Sequence, residues 1–332
     1  MSATTPIPLT LLTGFLGSGK TSLLRRLIHQ PGFARCAVIV NEFGEVGLDQ
    51  ALVTDQSDDR DIQLLDSGCL CCLASSAIQD TLASLYYRRL RGDIPWFDRV
   101  LIETSGLAEP GPIINAVYGD GSLCRQFRFD GVISTFDAGF GQADVDTYHE
   151  AKTQLLMSDT IVLTKGDMYP DTGRLAAWLA VLHPAARILD NRMADDALAR
   201  DLLDSTAAPV RPAGPSAADS PPTALRHLLA YGIHSVTVDV PGPVGWPAWA
   251  AFVRGVQHGY ADRLLRLKGV LPFAEAGPMA VHAVHHVFST PAAAAGTPSR
   301  LIGKLVFIVR DLDRAEVEQM VRLLATPADE IG

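Results

Sequence analysis

The sequence lacks the features of a membrane protein, a secreted protein or a nucleic-acid-binding protein. No apolar run approaches the ~18 residues that a membrane-spanning helix needs. The N-terminal stretch MSATTPIPLTLLTG has no basic segment followed by a long apolar one, so we expect no signal peptide and a reducing, cytoplasmic environment. The net charge of −9 provides no general attraction for nucleic acid or for anionic membranes.

Cysteine is scarce and unevenly placed. The chain has five cysteines, and an odd number in a reducing compartment argues against a disulfide scaffold. Cys69, Cys71 and Cys72 fall together in SGCLCCLASS, whereas Cys36 and Cys124 are isolated and are interpreted as ordinary thiols. A closed structural zinc site of the ribbon type needs a second cysteine pair, which is missing. The three clustered thiols therefore predict an incomplete metal site.

Up to about Ser205, short apolar runs alternate with helical patterns. The runs are rich in leucine and β-branched residues without polar alternation, which is typical of strands buried on both faces of a sheet. We expect strands at PLTLLT, CAVIVN, DIQLLD, RVLIET, GVISTF and DTIVLT, and helices at TSLLRRLIHQ, AIQDTLASLYYRRL, AKTQLLM and GRLAAWLAVLH. This order predicts a doubly wound α/β fold with a mostly parallel sheet.

The pattern changes after STAAPVRPAGPSAADSPP, a stretch rich in alanine, proline and serine that is typical of a semi-stiff linker. Beyond it the sequence predicts strands at HSVTVDV, DRLLRLKGVL, MAVHAVHHVF and LIGKLVFIV, and helices at GWPAWAAFVRGV and DRAEVEQMVRLL. We therefore expect an α/β domain at 1–204, a linker at 205–223 and a smaller α+β domain at 224–332.

The most specific motif is GFLGSGKT, which fits the phosphate-loop pattern G-x-x-x-x-G-K-[ST] between a predicted strand and a predicted helix. Glycines let backbone N–H groups surround phosphate oxygens, and the helix N-terminus adds partial positive charge. Lys20 is expected to reach the β- and γ-phosphates, and the Thr21 hydroxyl to bind Mg²⁺. The candidate nucleotide-binding residues here are Gly14, Gly17, Ser18, Gly19, Lys20, Thr21 and Ser22.

A second motif concerns the base of the nucleotide. VLTKGD ends a predicted strand with Thr164, Lys165 and Asp167, where GTP-binding proteins usually have Asn-Lys-x-Asp. A buried Asp accepts hydrogen bonds from guanine N1–H and from its exocyclic amine, and adenine lacks both donors. The motif predicts GTP rather than ATP. Because Thr164 replaces the usual Asn, the sequence leaves open whether the interaction by which that Asn tethers the motif is kept.

RVLIETSGLAEP provides two further candidates at the end of another strand. Glu103 stands where P-loop proteins have an acidic residue near Mg²⁺ or near the attacking water, so it is a candidate Mg²⁺ ligand, directly or through water. Gly106 offers a backbone amide near the expected γ-phosphate and can order the following loop when that phosphate is bound. Lys20, Glu103 and Gly106 are the candidate catalytic residues.

The metal site is expected at the same edge of the sheet. Ligands of open α/β sheets gather beyond the C-terminal ends of the strands, and both Glu42 and the clustered cysteines follow such ends. Residues two apart in an extended segment point the same way, so Cys69 and Cys71 form the natural pair, and Cys72 joins if the loop turns tightly. Glu42 is the candidate for the missing ligand. A mixed site of this kind suits Zn²⁺ or Co²⁺.

GFLGSGKT, NEFGEVGLD, SGCLCC, ETSGLAEP and TKGD follow one another as in the CobW-like metallochaperone GTPases, relatives of the nickel-handling UreG and HypB proteins. The chain closely resembles that family, and the resemblance continues at RLLRLKGVLPF and VHAVHHVF in the second domain. It implies a slow, Mg²⁺-dependent GTPase. Mg²⁺–GTP would tighten the cysteine site around a transition metal, and hydrolysis to GDP would release the metal to a client.

The resemblance also implies roles for particular residues. It assigns phosphate and Mg²⁺ to Lys20 and Thr21, the base to Lys165 and Asp167, and the transition metal to Cys69, Cys71 and Cys72. Glu42 and Glu103 match acidic positions of the family whose roles are less settled.

The chain departs from the family in three ways. Thr164 replaces the Asn of the base motif, Ser67 stands where Asn often precedes Gly-Cys, and no long His-rich stretch is present. A small cluster remains at His282, His285 and His286. On a strand, His282 and His286 would share one face, which allows a secondary metal site, but partly buried or surface histidines are the favoured interpretation.

The client and the metal stay open at this point. A client metalloprotein or a cobalt-inserting machinery of cobalamin synthesis fits, a homodimer is compatible, and neither nucleic acid nor a membrane is expected as a partner. Two alternative functions are a metal-sensing regulatory GTP-binding module and a P-loop kinase for a small molecule. TKGD and the absence of an evident Arg-rich lid count against the kinase.

Overall fold

The structure is a computed structural model that describes residues 6–40, 62–64, 75–169, 171–203, 232–240, 242–294 and 296–325. The described residues fall into two compact units, one within Met1–Leu175 and Arg187–Ala208, the other within Ala176–Ala186 and Pro209–Gly332. The predicted linker at 205–223 lies outside the described residues. None of the described helices has the length and apolar character needed to cross a bilayer.

The first unit is built on a parallel sheet, to which the described residues contribute seven strands in the order β3-β2-β4-β1-β5-β6-β7. Every neighbouring pair runs parallel, which confirms the predicted α/β fold. The strands are β1 Ile7–Thr13, β2 Cys36–Val40, β3 Ile62–Leu64, β4 Arg99–Glu103, β5 Phe127–Asp137, β6 Thr160–Thr164 and β7 Arg187–Asp190.

Helices connect these strands because parallel neighbours need crossover connections. They are α1 Lys20–Ile28, α2 Ser75–Arg91, α3 Pro110–Gly119, α4 Leu123–Gln126, α5 Gly141–Thr147, α6 His149–Leu156, α7 Thr172–Leu182 and α8 Asp195–Leu203, with a 3₁₀ turn at Pro31–Phe33. Helix α1 buries Leu23, Leu24 and Leu27 against the sheet and α8, and each leucine removed from water contributes ~1.5–3 kcal/mol.

The register of the central strands aligns their carboxyl ends. Leu12 of β1 lies opposite Glu103 of β4, and Thr13 lies opposite Ser134 of β5. Asp137, at the end of β5, lies opposite Thr164, at the end of β6. The segments that follow these strands therefore emerge along one edge of the sheet, where ligands of open α/β folds bind.

In the second unit, the described residues from 232 onward form an antiparallel sheet and two helices, in agreement with the predicted α+β domain. Its described strands follow the order β11-β10-β9-β13-β8, and β12 pairs with β10. Leu305, Phe307 and Val309 of β13 point to the same face of the sheet and pack with the helices in one core. The elements are β8 Ile233–Asp239, α9 Trp246–Gly259, β9 Leu264–Phe273, β10 Gly277–Val284, β11 Val287–Phe288, β12 Ala292–Ala293, β13 Lys304–Arg310 and α10 Arg314–Arg322, with 3₁₀ turns at Ser299–Leu301 and Leu323–Ala325.

The structure corrects the reading of MAVHAVHHVF as one strand. Strand β10 ends at Val284, the chain turns through His285 with a φ of +51°, and β11 returns so that Ala283 pairs with Phe288. His282 and His286 therefore do not share a strand face. Within the described residues, no three His, Cys, Asp or Glu side chains are grouped so that they could hold a metal ion.

Two features of the first sheet differ from the predicted strands. Strand β5 starts at Phe127, four residues before the stretch GVISTF, and β7 at Arg187–Asp190 was not predicted. The sequence of β7 is short and only partly buried because the strand lies at the edge of the sheet. A four-residue run of this kind carries too little periodicity to be identified.

The start of α10 allows a test of the second unit. The Asp313 carboxylate accepts a hydrogen bond from the Glu316 N–H at 2.8 Å, and the Glu316 carboxylate accepts one from the Asp313 N–H at 2.8 Å. Because Asp313→Ala removes an N-cap, we expect it to lower the free energy of unfolding by about 1 kcal/mol in urea denaturation. Glu318→Ala, which removes an exposed ion pair with Arg314, is the control and should cost roughly 0.3–0.5 kcal/mol. Equal effects would contradict the capping argument.

Candidate nucleotide and metal site

The phosphate loop lies between β1 and α1, and its glycines adopt backbone angles that other residues rarely take. The φ angles are +140° at Gly14, +69° at Gly17 and +92° at Gly19. A Cβ at Gly14 would stand 2.3 Å from Thr135 Oγ1 and 2.6 Å from the Thr135 carbonyl oxygen. The close approach to β5 therefore excludes a side chain at Gly14, in addition to the conformational requirement.

Polar contacts hold the loop in shape. The buried Ser18 hydroxyl lies 2.7 Å from the Phe15 carbonyl oxygen and 2.7 Å from Thr135 Oγ1. Lys20 Nζ donates to the carbonyl oxygens of Gly14 at 3.0 Å and Phe15 at 3.2 Å. The ammonium group is thus held against the loop itself. Ser22, also a candidate from the sequence, is exposed on α1.

The end of β4 meets the start of α1. The Thr21 hydroxyl donates to Glu103 Oε1 at 2.7 Å, and Glu103 is only 2% exposed. The hydroxyl of Ser105 is buried nearby in sequence and has no hydrogen-bond partner among the described residues. The Glu103 carboxylate and the Thr21 hydroxyl are the hard oxygen donors that Mg²⁺ prefers, so the residues present fit this ion.

The loop after β4 packs directly on the phosphate loop. A Cβ at Gly106 would stand 2.9 Å from both the backbone nitrogen and the Cα of Leu16, so any side chain would collide with the phosphate loop. Thr104 anchors the start of this loop, because its N–H donates to the Leu12 carbonyl at 2.9 Å and its hydroxyl donates to Thr13 Oγ1 at 3.0 Å. The candidate residues at the two strand ends are therefore in contact.

Thr164 provides the tether that the sequence left open. Its Oγ1 lies 2.7 Å from the Ser18 carbonyl oxygen and 3.1 Å from that of Phe136. The hydroxyl thus donates from the end of β6 to the phosphate loop, and it is buried. The replacement of Asn by Thr keeps a connection between the base motif and the phosphate loop.

The rest of the base motif has a different environment from the expected one. Lys165 adopts a φ of +58°, and its Nζ donates to Asp137 Oδ2 at 2.6 Å. Asp167 is exposed, whereas discrimination between bases was expected to rest on a buried carboxylate. Arg192 hydrogen-bonds to this loop: its guanidinium donates to the Gly166 carbonyl at 3.4 Å and to Thr172 Oγ1 at 2.6 Å.

Asp137 is the main residue at this edge that sequence reasoning missed. It is 5% exposed, and its Oδ1 accepts a hydrogen bond from the Gly139 N–H at 2.8 Å while Oδ2 binds Lys165. Partial burial, and then the Asp137 carboxylate, raises the pKa of neighbouring Asp144. The sequence could have indicated Asp137, because it directly follows the predicted strand GVISTF and the other candidate segments also follow predicted strands.

Glu42, Cys69, Cys71 and Cys72 lie outside the described residues. The described chain reaches Val40 at the end of β2, Leu64 at the end of β3, and resumes at Ser75 with α2. The two other cysteines are separate, as the sequence indicated. Cys36 is buried in β2, where burial raises the pKa of its thiol to about 12, and Cys124 is exposed.

A parallel sheet with a phosphate loop after β1, an acidic residue after β4 and a base motif after β6 defines a P-loop GTPase. The chain belongs to the CobW/HypB/UreG family: residues 8–190 match the CobW/HypB/UreG nucleotide-binding domain, and residues 233–324 match the cobalamin synthesis protein cobW C-terminal domain. The resemblance found in the sequence is thereby confirmed.

Several characterised relatives are similar to this chain. The zinc chaperone YjiA of Escherichia coli is 34% identical over 275 residues, covering 80% of this chain and 82% of YjiA. The zinc chaperone CobW of Pseudomonas aeruginosa is 40% identical over 196 residues, which cover 50% of this chain and 51% of that protein. The crystal structure of Zn(II)-bound YjiA GTPase matches with a TM-score of 0.69 and 29% identity, over 96% of this chain and 99% of that chain.

The Thr164 tether can be tested by nucleotide affinity. Thr164→Ala leaves the buried Ser18 carbonyl without its short hydrogen bond, so we expect the Kd for GDP and for GTP to rise about tenfold, equivalent to about 1.4 kcal/mol. Thr164→Ser keeps the hydroxyl and should stay close to the wild type. Thr160→Ala is the same substitution at the start of β6 and should leave the Kd unchanged. Equal Kd values for Thr164→Ala and Thr160→Ala in fluorescent-nucleotide titrations would refute the tether.

Proposed function

We propose that this protein is a GTP-dependent metallochaperone. It binds Mg²⁺ and GTP at the edge formed by β4, β1, β5 and β6, and it binds a divalent transition metal at Cys69, Cys71 and Cys72 with Glu42. Hydrolysis of GTP to GDP and phosphate lowers the metal affinity, and the metal passes to a client metalloprotein. Membership of the CobW/HypB/UreG family supports this proposal.

The observation that carries the proposal is the contact between Gly106 and the phosphate loop at Leu16. A loop that touches the phosphate loop through its backbone is well placed to respond to a γ-phosphate. In the sequence, the cysteine motif lies between β3 and α2, and β3 belongs to the same sheet as the strands of the nucleotide edge. A change at the nucleotide can thus reach the metal motif through segments that follow neighbouring strands.

Lys20 and the phosphate-loop N–H groups bind the phosphates in this proposal. Lys20 exchanges its carbonyl partners at Gly14 and Phe15 for phosphate oxygens, which is favourable because the new hydrogen bonds are charge-assisted on both sides. Thr21 and Glu103 hold Mg²⁺, Glu103 directly or through water. When bound, this ion neutralises negative charge on the β- and γ-phosphates. Glu103 and the Gly106 N–H orient the attacking water and the γ-phosphate.

The base motif selects guanine. Lys165 packs its aliphatic stem against the purine, while its ammonium group is fixed by Asp137 at 2.6 Å. Asp167 accepts hydrogen bonds from N1–H and from the exocyclic amine of guanine. Its present exposure means that discrimination depends on the bound base to shield the carboxylate from water, because such hydrogen bonds are weak when they compete with solvent.

Zinc is the metal that we favour as cargo. YjiA of Escherichia coli and CobW of Pseudomonas aeruginosa are both named zinc chaperones, and a Schizosaccharomyces pombe relative is named zinc-regulated GTPase metalloprotein activator 1. Thiolates with one carboxylate also accept Co²⁺. Because residues 233–324 match the cobalamin synthesis protein cobW C-terminal domain, a cobalt-dependent client is the alternative to a zinc-dependent one. A transition metal held by an incomplete ligand set can leave readily, as delivery requires.

Base selectivity is tested with a substitution that exchanges hydrogen-bonding capacity. Asp167→Asn replaces an acceptor with an amide that can donate to the C2 carbonyl of xanthine, so we expect GTP to bind at least a hundredfold more weakly and XTP to bind better than GTP. Asp171→Asn, at an exposed carboxylate four residues further on, is the matched control and should keep GTP preference. Unchanged selectivity in Asp167→Asn would remove this residue from the base site.

Metal binding and its coupling to nucleotide are tested by cysteine alkylation and mass spectrometry. Zn²⁺ should protect Cys69, Cys71 and Cys72 at a lower concentration with a non-hydrolysable GTP analogue than with GDP. Cys124 should be alkylated in every state because it is exposed, and Cys36 in none because it is buried with a pKa of about 12. Protection at the same Zn²⁺ concentration with both nucleotides would contradict coupling.

The protection of each cysteine from alkylation reports on this metal site more directly than the total zinc content of the protein does. A triple variant of YjiA in which one glutamate and two cysteines are replaced by alanine was also crystallised bound to Zn(II). Total stoichiometry in this chain could therefore include zinc held elsewhere. Glu42→Gln serves as the ligand test: the carboxamide binds zinc poorly, so protection of the three cysteines should need more Zn²⁺.

A further inference from the structure

Helix α6 carries a buried side chain that reaches the loop after β4. Gln154 is 1% exposed, and its Nε2 lies 3.0 Å from the Gly106 carbonyl oxygen and 3.0 Å from the Ala108 carbonyl oxygen. A side-chain amide has two N–H donors, so each donor is used on one carbonyl of the same loop. Gln154 thus holds the backbone directly after the Gly106 Cα, at the point where the loop lies too close to Leu16 for a side chain.

The hydrogen bonding of Gln154 argues against a purely stabilising role. Its Oε1 is buried and has no hydrogen-bond partner among the described residues. An unpaired buried acceptor opposes folding to a similar extent as a hydrogen bond favours it. The side chain therefore contributes more to where the loop lies than to how stable the domain is.

The same helix also contacts the phosphate loop and the end of the loop after β4. The ring of Tyr148, which precedes α6, stacks on Phe15 with centroids 4.8 Å apart and an interplanar angle of 24°. His149 Nε2 lies 3.4 Å from Glu109 Oε1. Since Phe15 belongs to the phosphate loop, one helical segment fixes both loops relative to each other.

We propose that Gln154 is a positioning residue for GTP hydrolysis: by holding the Gly106 and Ala108 carbonyls it aims the Gly106 N–H at the γ-phosphate. The inference rests on the proposed function, in which that N–H meets the γ-phosphate. Gln154 is not one of the proposed nucleotide or metal ligands, so it acts through the loop that it holds. Its effect is confined to states with a γ-phosphate, because GDP has no group at that place.

The test compares Gln154→Met with wild type in the full chain. Methionine keeps the length and flexibility of the side chain but donates no hydrogen bond. We expect kcat for GTP hydrolysis and the affinity for a non-hydrolysable GTP analogue each to fall about tenfold, while the affinity for GDP stays within twofold. Gln154→Asn keeps the amide but is one methylene shorter, so it cannot span both carbonyls and should show a smaller loss in the same direction.

Gln79→Met is the matched control. Gln79 also donates its amide to a backbone carbonyl, that of Ala116, at 2.7 Å, but this carbonyl belongs to α3 and not to the loop after β4. It should leave kcat and both affinities within twofold of wild type.

Two results would overturn the inference. One is an unchanged kcat in Gln154→Met. The other is an equal loss of GDP and GTP-analogue affinity in Gln154→Met and Gln154→Asn, since that indicates a structural role alone. Failure of the proposed function is distinguishable, because wild type itself would then hydrolyse no GTP or would not distinguish the analogue from GDP.

Discussion

The parallel register of four neighbouring strands, β4, β1, β5 and β6, is the constraint on which the nucleotide edge depends. It aligns the ends of the strands, so that Thr13, Glu103, Asp137 and Thr164 come to one edge of the sheet. Burial on both faces supports this register, because a slip by one residue would exchange the side chains packed on the two faces and disrupt the close packing of both. The chemistry of the site is therefore a consequence of core packing.

Hydrogen bonds then connect the segments that leave these strands. Thr164 joins the base motif to the phosphate loop, Thr21 joins the phosphate loop to Glu103, and Gln154 joins α6 to the loop after β4. Each such bond contributes about 1 kcal/mol net. Coupling free energies between sites are typically about 1–3 kcal/mol, so two or three bonds that change together suffice for a ten- to hundredfold change in metal affinity.

Much of the architecture was accessible from sequence because it rests on local patterns. The central strands, the phosphate loop and the tail helix α10 all followed from periodicity and glycine placement. The missed parts depend on tertiary contacts. Asp137 gains its role only when β5 and β6 lie side by side, and Gln154 only when α6 packs against the loop after β4. The turn at His285 follows from pairing between β10 and β11 that strand propensity alone does not reveal.

The base motif differs from the expected Asn-Lys-x-Asp in its sequence and in the environment of its residues. Thr164 substitutes for Asn with a shorter side chain and still reaches the Ser18 carbonyl. Asp167 is exposed, so the structure has no preformed buried acceptor at this position of the base motif. The Thr164 tether is thus formed in advance, whereas the exposed Asp167 is the part of the base motif whose environment a bound base would complete.

The central claim is that GTP hydrolysis lowers the affinity for the metal, and zinc release during a single turnover tests it most directly. Protein loaded with Zn²⁺ and GTP is mixed with a chromophoric zinc chelator while phosphate release is followed in parallel. The account predicts that zinc leaves at the rate of hydrolysis and stays bound with a non-hydrolysable analogue. Zinc release at the same rate with GTP and with the analogue would contradict it.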